Sequence, residues 1–220
     1  MLRSKVIFGS MELGRVAAIY RYPVKSLRGV ALEQVEIAAD GLPGDRARAL
    51  IVRGGHARAG KTYRGKEHDR LHLSDDVGDA VAMAARRGVE VDVRDDAPHF
   101  FDAAPVSLIV DRWLDGLRAE VGYDVEIERF RPNFIVAAHP SFAAGEVEIL
   151  GSTIRLGGAV LHVRETIGRC VTTTYDPRGG EPDPRILRYV ARERDNVMGV
   201  YCDVLEPGSA RRGDAALLVA

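Results

Sequence analysis

The chain is 220 residues long and 46% hydrophobic, enough for one large domain or two small ones that fold unaided around a packed core. Lys and Arg number 31 against 32 Asp and Glu, and the resulting charge of −1 gives no global reason to bind nucleic acid or an anionic membrane. No apolar run approaches the roughly 20 residues of a membrane span, and MLRSKVIFGS is too weakly apolar for a signal peptide, so the expected location is cytoplasmic.

Met11 can serve as a start, with residues 1–10 an extension. GRVAAIYRYPV (14–24), VALEQVEIAA (30–39), RARALIVR (46–53) and VEVDVR (89–94) are rich in β-branched or alternating apolar residues and are separated by Gly, Pro and Asp, so they read as strands. SDDVGDAVAMAARRG (74–88) and PVSLIVDRWLDGLRAEVG (105–122) carry apolar residues at helical spacing and close on a glycine, which predicts two helices. VEIERF (125–130), FIVAA (134–138), VEILG (147–151), TIRLG (153–157) and AVLHVRE (159–165) predict a closely spaced antiparallel set. DPRILRYVARERD (183–195) reads as a helix with Pro184 in its first turn. VMGVYCDVLEPG (197–208) and AALLVA (215–220) read as closing strands. The whole is mainly β with a few helices, and turns every 8–12 residues favour a barrel or sandwich over a doubly wound sheet.

Several chemistries are excluded by their missing signatures: there is no G-x-x-x-x-G-K-[ST], no H-E-x-x-H and no G-x-S-x-G. Of six histidines only His68 and His72 stand four apart, without a third ligand, and they read as solvated or core residues. The basic run ARAGKTYRGKEHDR (57–70) suits a charged surface loop or a phosphate contact equally. Two cysteines cannot form a four-thiolate metal site, and a reducing cytosol disfavours a disulfide. Cys202 lies in an alternating strand and reads as a buried core residue. Cys170 follows Gly168 and Arg169, where a neighbouring guanidinium favours the thiolate that binds metal or attacks. Basic and hydroxyl residues recur at strand ends: Lys25 and Ser26 in YPVKS, Arg46 in GLPGDRAR, Arg131 and Asn133 flanking a proline in RFRPNFIV. Arginine binds phosphate through a two-bond fork, and lysine acts as a mobile point charge.

YPVKS (22–26), GLPGDR (41–46), DAAP (102–105, expected ahead of a helix), RFRPN (129–133), RCVTTTYDP (169–177) and VLEPGSARRGDAALLV (204–219) stand in the order found in the MOSC domain superfamily. The set most resembles the amidoxime-reducing molybdenum proteins. The resemblance runs from about Gly14 to Val219 and implies a MOSC N-terminal β-barrel-like region over 14–104 and a MOSC domain over 105–220. It implies a molybdenum-pterin cofactor (Mo-molybdopterin), independent of pyridoxal phosphate, with Cys170 as the protein ligand of the metal. Lys25, Ser26 and Arg46 would hold the phosphate end, Arg131 would add a cation, and Asp102 and Ala103 would line the pterin. Asn133 and Tyr201 would complete the contacts, while Gly168 and Arg169 would shape the loop bearing the thiol.

Two departures from the family pattern bear on function. Ala103 and Ala104 stand where a hydroxyl residue often follows the aspartate, which predicts weaker binding, and HARAGKTYRGKEHDRLHL (56–73) replaces a shorter segment at the expected mouth of the site. The resemblance implies an oxidoreductase acting on N-hydroxylated or related small substrates with electrons from a separate donor protein; the balanced charge and the lack of an apolar span add the expectation of no nucleic-acid or membrane partner. A carrier or sulfur-transfer module, with Cys170 as a persulfide, is the alternative. A β-barrel binding domain with an inert cysteine is the third reading.

Overall fold

In the computed structural model, which describes residues 11–64 and 71–219, the first strand, β1 (Met11–Arg21), is bent by bulges. Register shifts at Glu12/Gly14 and Val16/Ala18 rotate it so that Leu13, Val16 and Ile19 all face the core. Two short strands follow, β2 (Val30–Leu32) and β3 (Gln34–Ile37). Next comes a hairpin-like pair, β4 (Ala49–Gly55) and β5 (Val89–Arg94), with α1 (Val77–Arg86) between them in sequence. Helix α1 begins later than expected because the Asp76 side chain accepts from the Asp79 amide and so caps it, while the Ser74 hydroxyl donates to the Asp76 carbonyl instead of accepting from a helix amide.

The segment expected as one helix over 105–122 divides. Val106–Val110 is a strand (β6), Asp111–Leu114 is a 3-10 turn, and only Asp115–Val121 is α-helical (α2). All five residues of β6 are buried, and periodicity cannot distinguish a strand covered on both faces from a buried helix. DAAP therefore precedes a strand, not a helix. VEIERF and VEILG, expected as strands, are 3-10 turns at Ile127–Phe130 and Val147–Ile149. The first of these ends where Arg131 takes a left-handed conformation ahead of Pro132.

The remaining expected elements form: β7 (Phe134–Ala138), β8 (Thr153–Leu156), β9 (Ala159–Gly168), α3 (Pro184–Glu193), β10 (Val197–Glu206) and, after a short strand that was not expected, β11 (Gly208–Arg211), the closing β12 (Ala215–Val219). In the order β12, β8, β9, β10, β6, β7, β1, closed by pairing of β1 with β12, they make a seven-stranded barrel, mainly β as expected. A closed ring with an odd number of strands cannot alternate throughout. The mismatch falls at β6 and β7, which are parallel, and the crossover that parallel strands require carries α2 and the turn at Ile127–Phe130.

The barrel encloses the larger apolar core, from Leu13 to Leu218. A second, smaller core of Val24, Leu27, Leu50, Val52, Tyr63, Leu71, Ala80, Ala84 and Val89 lies under β4, β5 and α1. Among the described residues no helix is long and apolar enough to cross a membrane. Residues 1–10 and His68 lie outside the described residues.

Candidate functional site

The chain leaving β1 runs beside the chain entering β4: the Lys25 amide donates to the Arg48 carbonyl (2.8 Å) and the Arg46 amide to the Tyr22 carbonyl (2.6 Å). This brings YPVKS and GDRAR side by side. Asp45 is 6% exposed and holds them there, accepting from the Tyr22 amide (2.7 Å) and pairing with the Arg46 guanidinium. Arg46 also donates to the Arg131 carbonyl (3.2 Å), so a third segment, RFRPN, joins the same corner.

The buried Tyr22 ring is the platform of that corner. The Arg131 and Arg46 guanidinium carbons lie 4.3 and 4.8 Å from its centroid, within reach of cation–π attraction. Burial pushes the Tyr22 phenol up to about 12, against the pull of the two arginines. Burial also brings Arg131 down to about 10, with Arg46 adding repulsion while Tyr22 opposes the shift. The Arg131 Nη2 is buried and has no hydrogen-bond partner. An orphaned guanidinium nitrogen is costly, and an anion is its natural complement. Ser26, Arg46 and Arg131 have φ of 74°, 48° and 53°, three of the five non-glycine residues with positive φ among the described residues. Such strained backbone clusters at ligand sites more than elsewhere.

The RCVTTTYDP segment is anchored by two arginines. Arg169 donates from Nε (2.7 Å) and Nη2 to the Met198 carbonyl and from Nη1 to the Phe130 carbonyl (2.8 Å). Burial lowers its guanidinium to about 10, although Tyr201 and Cys170 oppose the shift. Arg129, 5% exposed, donates to the Thr174 carbonyl (3.0 Å) and pairs with Glu126 (2.9 Å) and Asp176 (3.6 Å). Between these staples Cys170 is exposed, at the N-cap of a 3-10 turn over Val171–Thr174, with its Sγ 3.2 Å from the Thr172 hydroxyl. Cys202 is fully buried, and burial pushes its thiol up to about 12.

These corners open onto one cleft of about 670 Å³. Of the residues expected from sequence, Lys25, Ser26, Arg46, Asp102, Arg131, Gly168, Arg169, Cys170 and Tyr201 line it. Ala103 and Asn133 do not. The Ala103 carbonyl accepts from Arg164 (3.2 Å), and Asn133, 1% exposed, bonds to Ser107 and to the Tyr20 carbonyl. Asn133 thus braces the corner from behind.

At the cleft wall Asp102 receives Lys25 (2.6 Å) and Arg64 (3.2 Å). Burial works against its charge, but those two cations and Arg46 hold it below the usual carboxylate range. Burial raises the Tyr201 phenol, with Asp102 adding to the shift. The sequence reading missed Tyr22, Arg64, Arg28 and His72, all on the wall. The signal for Tyr22 was its place beside Pro23 at the end of a strand; His72 is fixed by partners distant in sequence, the Asp176 carbonyl (2.9 Å) and the Tyr175 ring (centroids 5.3 Å apart). Among the described residues eight basic side chains line the cleft (Lys25, Arg28, Arg46, Arg64, Arg129, Arg131, Arg169, Arg178) against two carboxylates, Asp102 and Glu128, so this lining favours anions. Among the described residues no group of three or more His, Cys, Asp or Glu could hold a bare metal ion.

Comparison with known proteins agrees with this architecture. Two curated relatives, each called mitochondrial amidoxime-reducing component 1, match about half of this chain: that of Danio rerio is 32% identical over 130 residues (55% of this chain), and that of Xenopus laevis 26% over 126 (51%). These matches span 39% and 36% of the relatives' own lengths. The YUAD protein of Bacillus subtilis has a similar fold, with a TM-score of 0.56 at 15% identity over 96% of this chain and 97% of that one. The MOSC N-terminal beta barrel domain family matches residues 13–102 and the MOSC domain family matches residues 95–216. On that match, which takes in more than half of its length, the chain belongs to the MOSC domain family.

Proposed function

We propose that the cleft binds a molybdenum–pterin cofactor and that the protein is an oxidoreductase reducing small N-hydroxylated or related substrates with electrons from a separate donor protein. One observation carries the reading: the exposed Cys170 thiol and the orphaned Arg131 Nη2 line the same cationic cleft. A molybdopterin is an anion with a phosphate at one end and a soft-donor metal site at the other, and both ends find a complement here. Among the described residues no group of His, Cys, Asp or Glu could hold a bare ion with Cys170, which suits a metal delivered already ligated, as a pterin dithiolene delivers it. When bound, the cofactor supplies two-electron reduction with removal of oxygen from the substrate.

The chain's own residues divide the work. Cys170 supplies the thiolate, and Arg169 and Gly168 set the loop that presents it. Arg131 supplies free donors to the phosphate. Lys25 and Ser26 add a charge and a hydroxyl, and Arg46, already committed to Asp45 and the Arg131 carbonyl, contributes mainly charge. Asp102 and Tyr201 flank the pterin, and Ala103 and Asn133 support it from behind the wall. The substrate class is carried over from the two relatives, which are amidoxime-reducing components.

The test is turnover of an amidoxime by protein from a cofactor-competent host. The reading expects activity with a reduced viologen and none with a nicotinamide cofactor alone. Turnover by the pure chain with a nicotinamide cofactor would contradict the separate donor, and a persulfide on the metal-free protein without viologen activity would favour the sulfur carrier.

A further inference from the structure

Glu146 is a buried carboxylate, 3% exposed, in a segment without any role in the cleft. Its Oε2 pairs with Arg194, and its Oε1 accepts the Gly199 amide at 3.1 Å. That amide belongs to the same peptide unit as the Met198 carbonyl, which takes two donors from Arg169. The unit lies in a bulge of β10: Val197 pairs with Gly168 and Val200 with Thr166, and no ladder partner on β9 or β6 falls on Met198 or Gly199. An acid on the N–H and a guanidinium on the C=O therefore replace the missing strands. Both act along the peptide dipole, so each bond strengthens the other. Glycine is required at the bulge, since φ is 91° and a Cβ would come within 2.7 Å of Ile109 Cγ1 and 2.9 Å of the Leu108 carbonyl.

The clamp ends one residue before the thiol. Arg169 is held through its amide by the Asn196 carbonyl (2.9 Å) and through its side chain by Met198 and Phe130, and Cys170 leaves the strand from that fixed point. We propose that Glu146 and Arg194 are positioning residues for Cys170, acting through the Met198–Gly199 peptide and Arg169. The proposal rests on Cys170 being the functional thiol, and it makes the direction of that thiol depend on a buried carboxylate and its part-exposed arginine, neither of which lines the cleft.

The test uses the metal-free, full-length protein and reads amide hydrogen exchange. Replacing both charges together, Glu146→Leu with Arg194→Leu, avoids stranding either one, and such exchanges are commonly tolerated. Exchange at Gly199 and over residues 169–175 is expected to rise by about tenfold or more, the low end for a bond to a charged group, while β1 and β12 stay as protected as in the wild type. Glu146→Gln, which keeps an acceptor for Gly199 but loses the charge, is expected to give a smaller rise of about threefold confined to the same segments. Unchanged exchange over 169–175 in both variants, or a rise spread evenly over all strands, would overturn the proposal. The outcome is separable from the cofactor reading: a wild type that binds no cofactor ends that reading and leaves the clamp standing, whereas unchanged exchange ends the clamp alone.

Discussion

Arg46 and Arg131 stack on one tyrosine yet differ in what they leave behind when removed. Arg46 neutralises the buried Asp45, so Arg46→Met strands a carboxylate and should cost about 3–5 kcal/mol of stability, the usual result of breaking a buried pair. Arg131 is held near its neighbour of like charge with one nitrogen unsatisfied. Arg131→Met should therefore cost less than about 1 kcal/mol, while removing the donor an anionic ligand would meet. Urea denaturation of the two metal-free variants checks the order; equal losses would show that Arg131 is structural. The cysteines differ as sharply. Iodoacetamide at pH 8 should modify Cys170 and spare Cys202, whose thiol is buried and shifted to about 12, and mass spectrometry of the folded protein reads the site directly.

At the scale of elements, α3 shows a capping signal that is also a pH signal. Asp183 caps its first turn through the Arg185 amide (2.9 Å) and receives the Tyr123 hydroxyl (2.9 Å). The hydrogen bond from the Arg185 side chain, with those from its amide and from Tyr123, outweighs burial and lowers the Asp183 carboxyl from 3.8 to about 2. A carboxyl depressed on folding stabilises above its unfolded value and loses that stabilisation as pH falls through the folded one. Asp183→Ala should cost about 0.5–2 kcal/mol at pH 7, and the gap from wild type should narrow as pH falls from about 4 toward about 2; a gap independent of pH would contradict the cap's charge.

This helix was legible from sequence because Asp183 and Pro184 write its start. Strands β9, β10 and β12 were legible from their apolar runs. PVSLIV was not, because five buried residues erase the alternation that identifies a strand, and the parallel pairing that buries them is set by ring closure. The cleft divides in the same way. The family motifs brought Cys170, Lys25 and Arg131 forward, but the left-handed turn at Arg131 decides that Arg131 lines the cleft while Asn133 is buried behind it, and Glu146 lies in no motif at all.

The whole molecule depends on the join between β1 and the rest of the barrel, because β1 pairs with both β7 and β12 and then leads into the cleft. Gly14 makes the join possible: its φ is 154°, and a Cβ there would lie 2.0 Å from the Ala137 carbonyl oxygen. Gly14→Ala should cost about 2–4 kcal/mol through strain and overcrowding, with urea denaturation as the check; a wild-type midpoint would mean that the barrel closes without this contact. Closure brings the Tyr22 corner and the Cys170 loop to one cleft between the two cores, and the central claim is that this cleft holds a molybdenum–pterin cofactor through Cys170. The most direct test is molybdenum and pterin per chain in wild type, Cys170→Ala and Cys202→Ala proteins from a cofactor-competent host. The account predicts about one molybdenum per chain in the wild type and in Cys202→Ala, on loss of the soft donor none in Cys170→Ala, and a melting temperature for Cys170→Ala equal to that of the metal-free wild type. Full molybdenum in a folded Cys170→Ala protein, or none in the wild type, would contradict it.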